Sequence, residues 1–142
     1  MKKRLWKNIA TLIMVSANMS LTSCQKEIND YLIGTWNELQ VSTTINDKTT
    51  TQKLHGTYTF ESEKKSANKG RLSHTYKRGT TVNSEYGIWE LYPTTGSLWL
   101  TYDGQETNVL HIDQIDDHSM TWSDYEKNQM NELITYTYKL SR

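Results

Sequence analysis

An all-β domain, folded as an eight-stranded up-and-down antiparallel barrel, is predicted for residues 31–142 by three observations. From Gly34 onward, apolar residues recur with period two in short runs. Nearly every run is closed by turn residues, among them Asn46-Asp47-Lys48, Pro93-Thr94-Thr95-Gly96 and Asp103-Gly104. No stretch keeps a helical apolar spacing for more than two turns. Closing such a meander into a barrel removes the free strand edges that invite aggregation.

The first strand opens with Gly34-Thr35-Trp36 and continues through Leu39 and Val41, an odd step in phase that predicts a bulge or sharp bend near Glu38. The second ends in Thr57–Glu61, with Tyr58 and Phe60 on one face. In the third, Leu72, His74 and Tyr76 alternate against Arg71, Ser73, Thr75 and Lys77. The fourth runs to Tyr92 and sets Trp89 and Leu91 against Tyr86, Ile88 and Glu90. The fifth, Ser97–Tyr102, sets Leu98, Leu100 and Tyr102 against Trp99. Leu110 and Ile112 mark the sixth, and Asp116-Asp117-His118 turns the chain into a seventh with Met120 and Trp122. A polar loop over 124–131 then leads to the eighth, which carries Ile134, Tyr136, Tyr138 and Leu140 on one phase.

The 142 residues make room for one domain, and the single cysteine excludes an intramolecular disulfide. That cysteine is Cys24. Ahead of it stand a basic start (Lys2, Lys3, Arg4, Lys7) and an apolar run from Ile9 to Leu21, the layout of a cleaved signal peptide. A bilayer span needs roughly 20 apolar residues; this run is shorter and is interrupted by Thr11, Ser16, Asn18 and Ser20. The whole chain is neutral, with 16 basic and 16 acidic residues. Removing 1–23 takes away four basic and no acidic residues, so the remainder carries a net charge of −4. That balance argues against nucleic acid as a partner, which wants clustered positive charge.

Leu21-Thr22-Ser23-Cys24 resembles the bacterial lipoprotein box. The resemblance implies cleavage after Ser23, a diacylglyceryl group on the Cys24 sulfur and an acylated (palmitate) amino terminus, hence a lipid anchor in the cell envelope, at the outer membrane. The division that follows is 1–23 signal peptide, 24–30 acylated cysteine and short tether, and 31–142 barrel. Gln25-Lys26-Glu27 partly resembles the signal that follows the cysteine in surface-exposed lipoproteins of Bacteroidota.

Gly34-Thr35-Trp36, eight strands and Arg142 just past the last of them resemble the lipocalin pattern, and the overall likeness is to the short lipocalin-like lipoproteins of Bacteroidota. The resemblance implies that Trp36 packs across the closed end of the barrel beneath Arg142. Two departures stand against it. The Thr-Asp-Tyr stretch that lipocalins carry between their sixth and seventh strands is reduced here to Asp116-Asp117, and there is no room for a helix after the eighth strand.

Four constellations bear on function. His111, Asp113, Asp116, Asp117 and His118 fall within eight residues. On a strand His111 and Asp113 would lie about 6.6 Å apart on one face, but exterior polar residues leading into an Asp-rich turn explain the pattern, and no metal is assigned. Tyr58, Phe60, His74 and Tyr76 share the apolar phases of neighbouring strands, so an inward orientation would place polar-tipped rings in an apolar interior, as in small-molecule sites; a packed core explains them equally. The aromatic excess, four tryptophans past the signal and nine tyrosines, can fill an eight-stranded barrel, with Trp99 alone off phase and outward. Finally, no nucleophile elbow, phosphate loop, zinc-binding helix or paired-carboxylate site is present. The anchor consumes the only thiol. The expectation is a non-enzymatic lipoprotein without a cofactor, whose barrel binds a small apolar or amphipathic ligand. The alternative is an accessory envelope protein whose filled barrel acts through protein contact.

Overall fold

The computed structural model describes residues 27–65 and 67–142. Cys24, the cleavage site and the signal segment lie outside them. A short helix, α1 (Ile28–Leu32), leads into nine strands: β1 (Gly34–Ile45), β2 (Lys48–Lys53), β3 (Thr57–Glu61), β4 (Lys69–Arg78), β5 (Thr81–Tyr92), β6 (Ser97–Tyr102), β7 (Thr107–Ile115), β8 (Ser119–Lys127) and β9 (Leu133–Ser141). Every neighbouring pair is antiparallel, and a ladder between β1 and β9 closes the sheet on itself.

Nine strands make an eight-stranded barrel because one of its eight positions is broken. Residues 40–45 of β1 pair with β2, whereas Gly34–Asn37 of the same strand pair with β3. The break at 54–56 therefore divides the predicted second strand in two. β3 continues into a ladder with β4, but none joins β2 to β4, so the wall parts there. β2 and the second half of β1 form a ribbon turned by Asn46 (φ 49°) and Asp47 (φ 63°). Two successive positive φ values match the twist of a two-residue hairpin. Its strands are held by side-chain pairs such as Ser42 with Thr51 (3.0 Å) and Thr44 with Thr49 (2.8 Å), since β2 is exposed throughout.

The expected bulge is present: the β1–β9 register shifts between Glu38 and Gln40. Its consequence differs from the sequence reading. Leu39 is the extra residue and points outward, 48% exposed, while Glu38 follows Trp36 into the interior and is buried.

The lower half of the barrel is solid. Trp36, Phe60, Trp89, Leu98, Leu100, Met120, Trp122 and Leu140 are all essentially inaccessible. Phe60 meets Trp89 and Trp122 edge-on, with ring centroids 6.2 and 6.4 Å apart. Large rings fill this space with few atoms left over, the condition for close packing at this barrel size.

The closed end is built around Trp36. Its indole N–H donates to the Leu32 carbonyl at 2.9 Å, which satisfies an orphan group at the end of α1. Arg142 lies over the ring at 4.3 Å and donates to the carbonyls of Ile33 and Asp117, both at 2.8 Å. Gly34 has φ 122°, and a Cβ there would meet the guanidinium at 3.1 Å, so glycine serves both the conformation and the close approach.

Residues 28–30, read from the sequence as the end of a short tether, belong to this arrangement as part of α1. Asn29 and Leu32 are buried in α1, and the Asn29 amide donates to Asn68 at 3.1 Å. A further correction concerns the polar loop predicted from Asp124: β8 runs on to Lys127, paired with β9 along its whole length.

Candidate functional site

Four turns meet at the opposite end of the barrel: β1–β2, β4–β5, β6–β7 and β8–β9. Here the inward phase changes from apolar to polar. On β4, Leu72 is buried in the floor, whereas His74 and Tyr76 stand above it and are partly accessible. On β5 the phase of Trp89 and Gly87 leads up to Glu85. On β8 the phase of Met120 and Trp122 leads up to Asp124 and Glu126, and on β9 Tyr138 and Tyr136 rise above Leu140. The result is a cup with an aromatic floor and an acidic rim.

At the bottom of the cup the Tyr58 and His74 rings stack face to face, with centroids 3.9 Å apart and planes within 3° of parallel. Trp122 abuts Tyr58 edge-on at 5.0 Å. His74 is tilted against Tyr76 at 4.9 Å and Tyr102 at 6.4 Å. Of the four ring residues singled out in the sequence, Tyr58, His74 and Tyr76 are thus brought together at the cup. Phe60, 1% exposed, lies below them in the packed floor.

The cup also holds a residue that the sequence reading missed. The Glu38 carboxylate lies 3.4 Å from His74 Nε2, with both side chains mostly buried. Gly56 makes the space: a Cβ at that position would fall 1.9 Å from Glu38 Oε2 and 3.0 Å from His74 Nε2. Glu85 accepts from the Tyr76 hydroxyl at 3.3 Å and from the Gln105 amide at 3.2 Å. Tyr136 donates to Glu126.

These surroundings hold the phenols in their neutral form. Burial raises Tyr58 well above its ordinary value, with Tyr102, Glu38 and Tyr138 acting in the same direction. Tyr102 is raised by burial and then by Glu85. Tyr138 is raised by burial and then by Asp124, Glu38 and Glu126. Each carboxylate opposes a second negative charge close by, and a neutral phenol keeps a proton to donate.

The His111–His118 segment is not part of the cup. His111 and Asp113 lie on the outer face with a 4.0 Å separation, and Asp113 accepts from Ser123. Asp116 accepts from the backbone N–H groups of His118 and Ser119, both at 2.8 Å, and these bonds lower its pKa. Asp117 supplies a carbonyl to Arg142. Asp116 thus serves the turn and Asp117 the closed end, while Asp113 ties β7 to β8. A groove of about 940 Å³ lies outside the barrel at the closed end, between Phe60, Gly70, Arg71 and Trp89. It gathers no set of buried polar groups comparable to the cup.

The backbone has counterparts among solved structures. It matches lobster apocrustacyanin A1 with a TM-score of 0.56 at 12% identity, over 81% of this chain and 62% of that one. The fold is lipocalin-like. Apocrustacyanin C1 gives 0.57 at 12% identity over the same shares, and bovine odorant-binding protein in complex with a selenium-containing odorant gives 0.50 at 11%, over 84% of this chain and 75% of that one. This chain spans 62% of the length of the crustacyanins it matches. No protein-family model matches the sequence, and no curated protein does either.

Parity could have revealed most of the cup. Glu85 shares the phase of Trp89, and Asp124 that of Trp122, so counting by twos from the tryptophans reaches both. Glu38 is reached by the same count from Trp36; the slip that follows it brings Val41, opposite Tyr138, onto the inner phase, and the Leu39 and Val41 spacing drew attention away from the carboxylate.

Proposed function

We propose that the chain is a membrane-anchored bacterial lipoprotein, fixed through Cys24 at the outer membrane, whose lipocalin-like barrel binds a small apolar or amphipathic molecule in its open end. Binding rather than catalysis is the activity. One observation carries this reading: the inward phase changes halfway up the barrel from close-packed rings to partly accessible His74, Tyr76 and Tyr138. An apolar floor with a few convergent polar tips is the construction of a small-molecule site. The bovine protein, captured with an odorant, supports testing a barrel ligand first.

The test is native mass spectrometry of the protein purified from the membranes of its own host. A retained molecule, in addition to the mass of the acyl chains on Cys24, is the expected result. A homogeneous, ligand-free protein that also leaves apolar fluorescent probes unbound would favour the second reading, an accessory protein acting through contact. That reading has its own observation. The outer face of β5–β7 exposes Ile88 (60%), Trp99 (40%) and Val109 (50%), and Tyr92 packs against Trp99 at 5.1 Å.

A further inference from the structure

Around the cup, Glu38, Glu85, Asp124 and Glu126 all sit on the inward phase of their strands. The cations on that phase, among the described residues, are His74, if protonated, Arg78 at the rim, which is laid over the Tyr76 ring at 5.5 Å, and Lys48, opposite Ile45 at the tip of the β1–β2 ribbon. The acidic residues differ in how well they are satisfied. Glu85 has two donors, Glu126 has the Tyr136 hydroxyl, and Asp124 accepts from the Tyr125 backbone N–H at 2.7 Å.

Glu38 is the exception. Its side chain is 7% exposed, and its polar neighbour is His74 Nε2 at 3.4 Å. That nitrogen is itself fully buried with no hydrogen-bond partner. A carboxylate taken out of water without well-directed donors is costly to the fold, and it persists where something else supplies the donors. Directly beside it lie the stacked Tyr58 and His74 rings and the Tyr102 and Tyr138 phenols, a set of π faces that attracts positive charge.

The geometry points to a cationic ligand for the cup: a small organic amine whose ammonium group is held by Glu38 and the rim carboxylates while its apolar or aromatic body rests against the partly accessible rings of His74, Tyr76 and Tyr138. This inference rests on the ligand-binding reading above and specifies its chemistry. An ammonium supplies the N–H donors that Glu38 lacks, and it offsets the repulsion among carboxylates facing one interior. An anion would meet four negative charges. A neutral apolar molecule would leave Glu38 buried without donors.

The experiment is isothermal titration of the full-length protein, in detergent, with three compounds of one shape and different charge: 2-phenylethylamine, 2-phenylethanol and 3-phenylpropionate. A neutral apolar fluorescent probe is titrated in parallel. The amine should bind at least tenfold more tightly than the alcohol, in line with a charge-assisted hydrogen bond against a neutral one, and the acid should be weaker still. The preference should shrink to under threefold in Glu38→Gln, with binding of the neutral probe unchanged. Should Glu38→Gln fold poorly, Glu85→Gln, whose partners lie at the rim, should reduce the amine preference without affecting the probe.

The inference is overturned, with ligand binding intact, if the probe binds while the alcohol or the acid equals the amine. If neither the three compounds nor the probe binds, the inference and the ligand-binding reading fall together.

Discussion

Replacing Trp36 and Arg142 singly and together measures how firmly the closed end is held. Trp36 is fully buried, so Trp36→Ala removes a large ring that the surrounding rings cannot replace, a change worth about 3–5 kcal/mol. The figure includes the Leu32 carbonyl, which loses its donor. Arg142→Met keeps much of the aliphatic cover but removes the charge over the ring and two bonds to backbone carbonyls. Because Arg142 is solvent-exposed, about 1–2 kcal/mol is expected. The double variant should be less destabilised than the sum of the two by about 0.5–1 kcal/mol, the value of a cation–π contact at an exposed site. Urea unfolding followed by far-ultraviolet circular dichroism is the assay, since the signal must not depend on the ring removed. With m about 2 kcal/mol per molar, the Trp36→Ala midpoint should fall by roughly 1.5–2.5 M. A loss below about 1 kcal/mol for Trp36→Ala, or a coupling indistinguishable from zero, would refute the account of the closed end.

Gly56→Ala should destabilise by about 1–3 kcal/mol, because the new methyl overlaps Glu38 Oε2; the same substitution in a Glu38→Ala background should cost markedly less, and equal costs in the two backgrounds would count against the packing described. Tyr58 and Tyr102 have raised pKa values, so the stability they contribute is complete below pH about 10, the unfolded value, and is lost as the pH rises from there through the folded values. Alkaline unfolding curves should show this loss, and Tyr58→Phe should flatten it; a curve unchanged by the substitution would show that Tyr58 titrates normally. Cys24→Ala should move the protein out of the membrane fraction, and a variant that still sediments after a high-salt wash would disprove the anchor, because salt screens charge contacts but not acyl insertion.

Most of the barrel could be read from alternation alone. Trp89 with Leu91, and Leu98 with Leu100 and Tyr102, point inward as their spacing demands, because period two has a single solution when one face is buried. The bulge near Glu38 was also legible, because Val41 lies an odd number of residues past Trp36 and yet pairs with inward Tyr138. Alternation from Trp36 places Glu38 inward and Leu39 outward, whereas hydrophobicity alone favours Leu39 for the interior. The carboxylate is accommodated by the space that Gly56 leaves beside His74, a contact between strands that no local pattern encodes. α1 was missed because five residues give no periodicity to read. It forms because Leu32 is needed beneath Trp36, so tertiary packing decides its conformation. The cup was half legible: Tyr58, His74 and Tyr76 stood out as rings on apolar phases, while its carboxylates looked like ordinary surface charge.

The entry of the chain at the closed end has a consequence for traffic. Glu27 precedes α1, and only Gln25 and Lys26 separate it from Cys24. Three residues span at most about 10 Å, so an acylated Cys24 would seat the closed end close to the headgroups. β1 has 12 residues, and at about 3.3 Å per residue and a tilt near 40° it would then lift the cup roughly 30 Å above them. A molecule dissolved in the bilayer could not slip sideways into such a vessel. It would first have to leave the lipid, and the protein would fill from the water side, like a cup standing on its base.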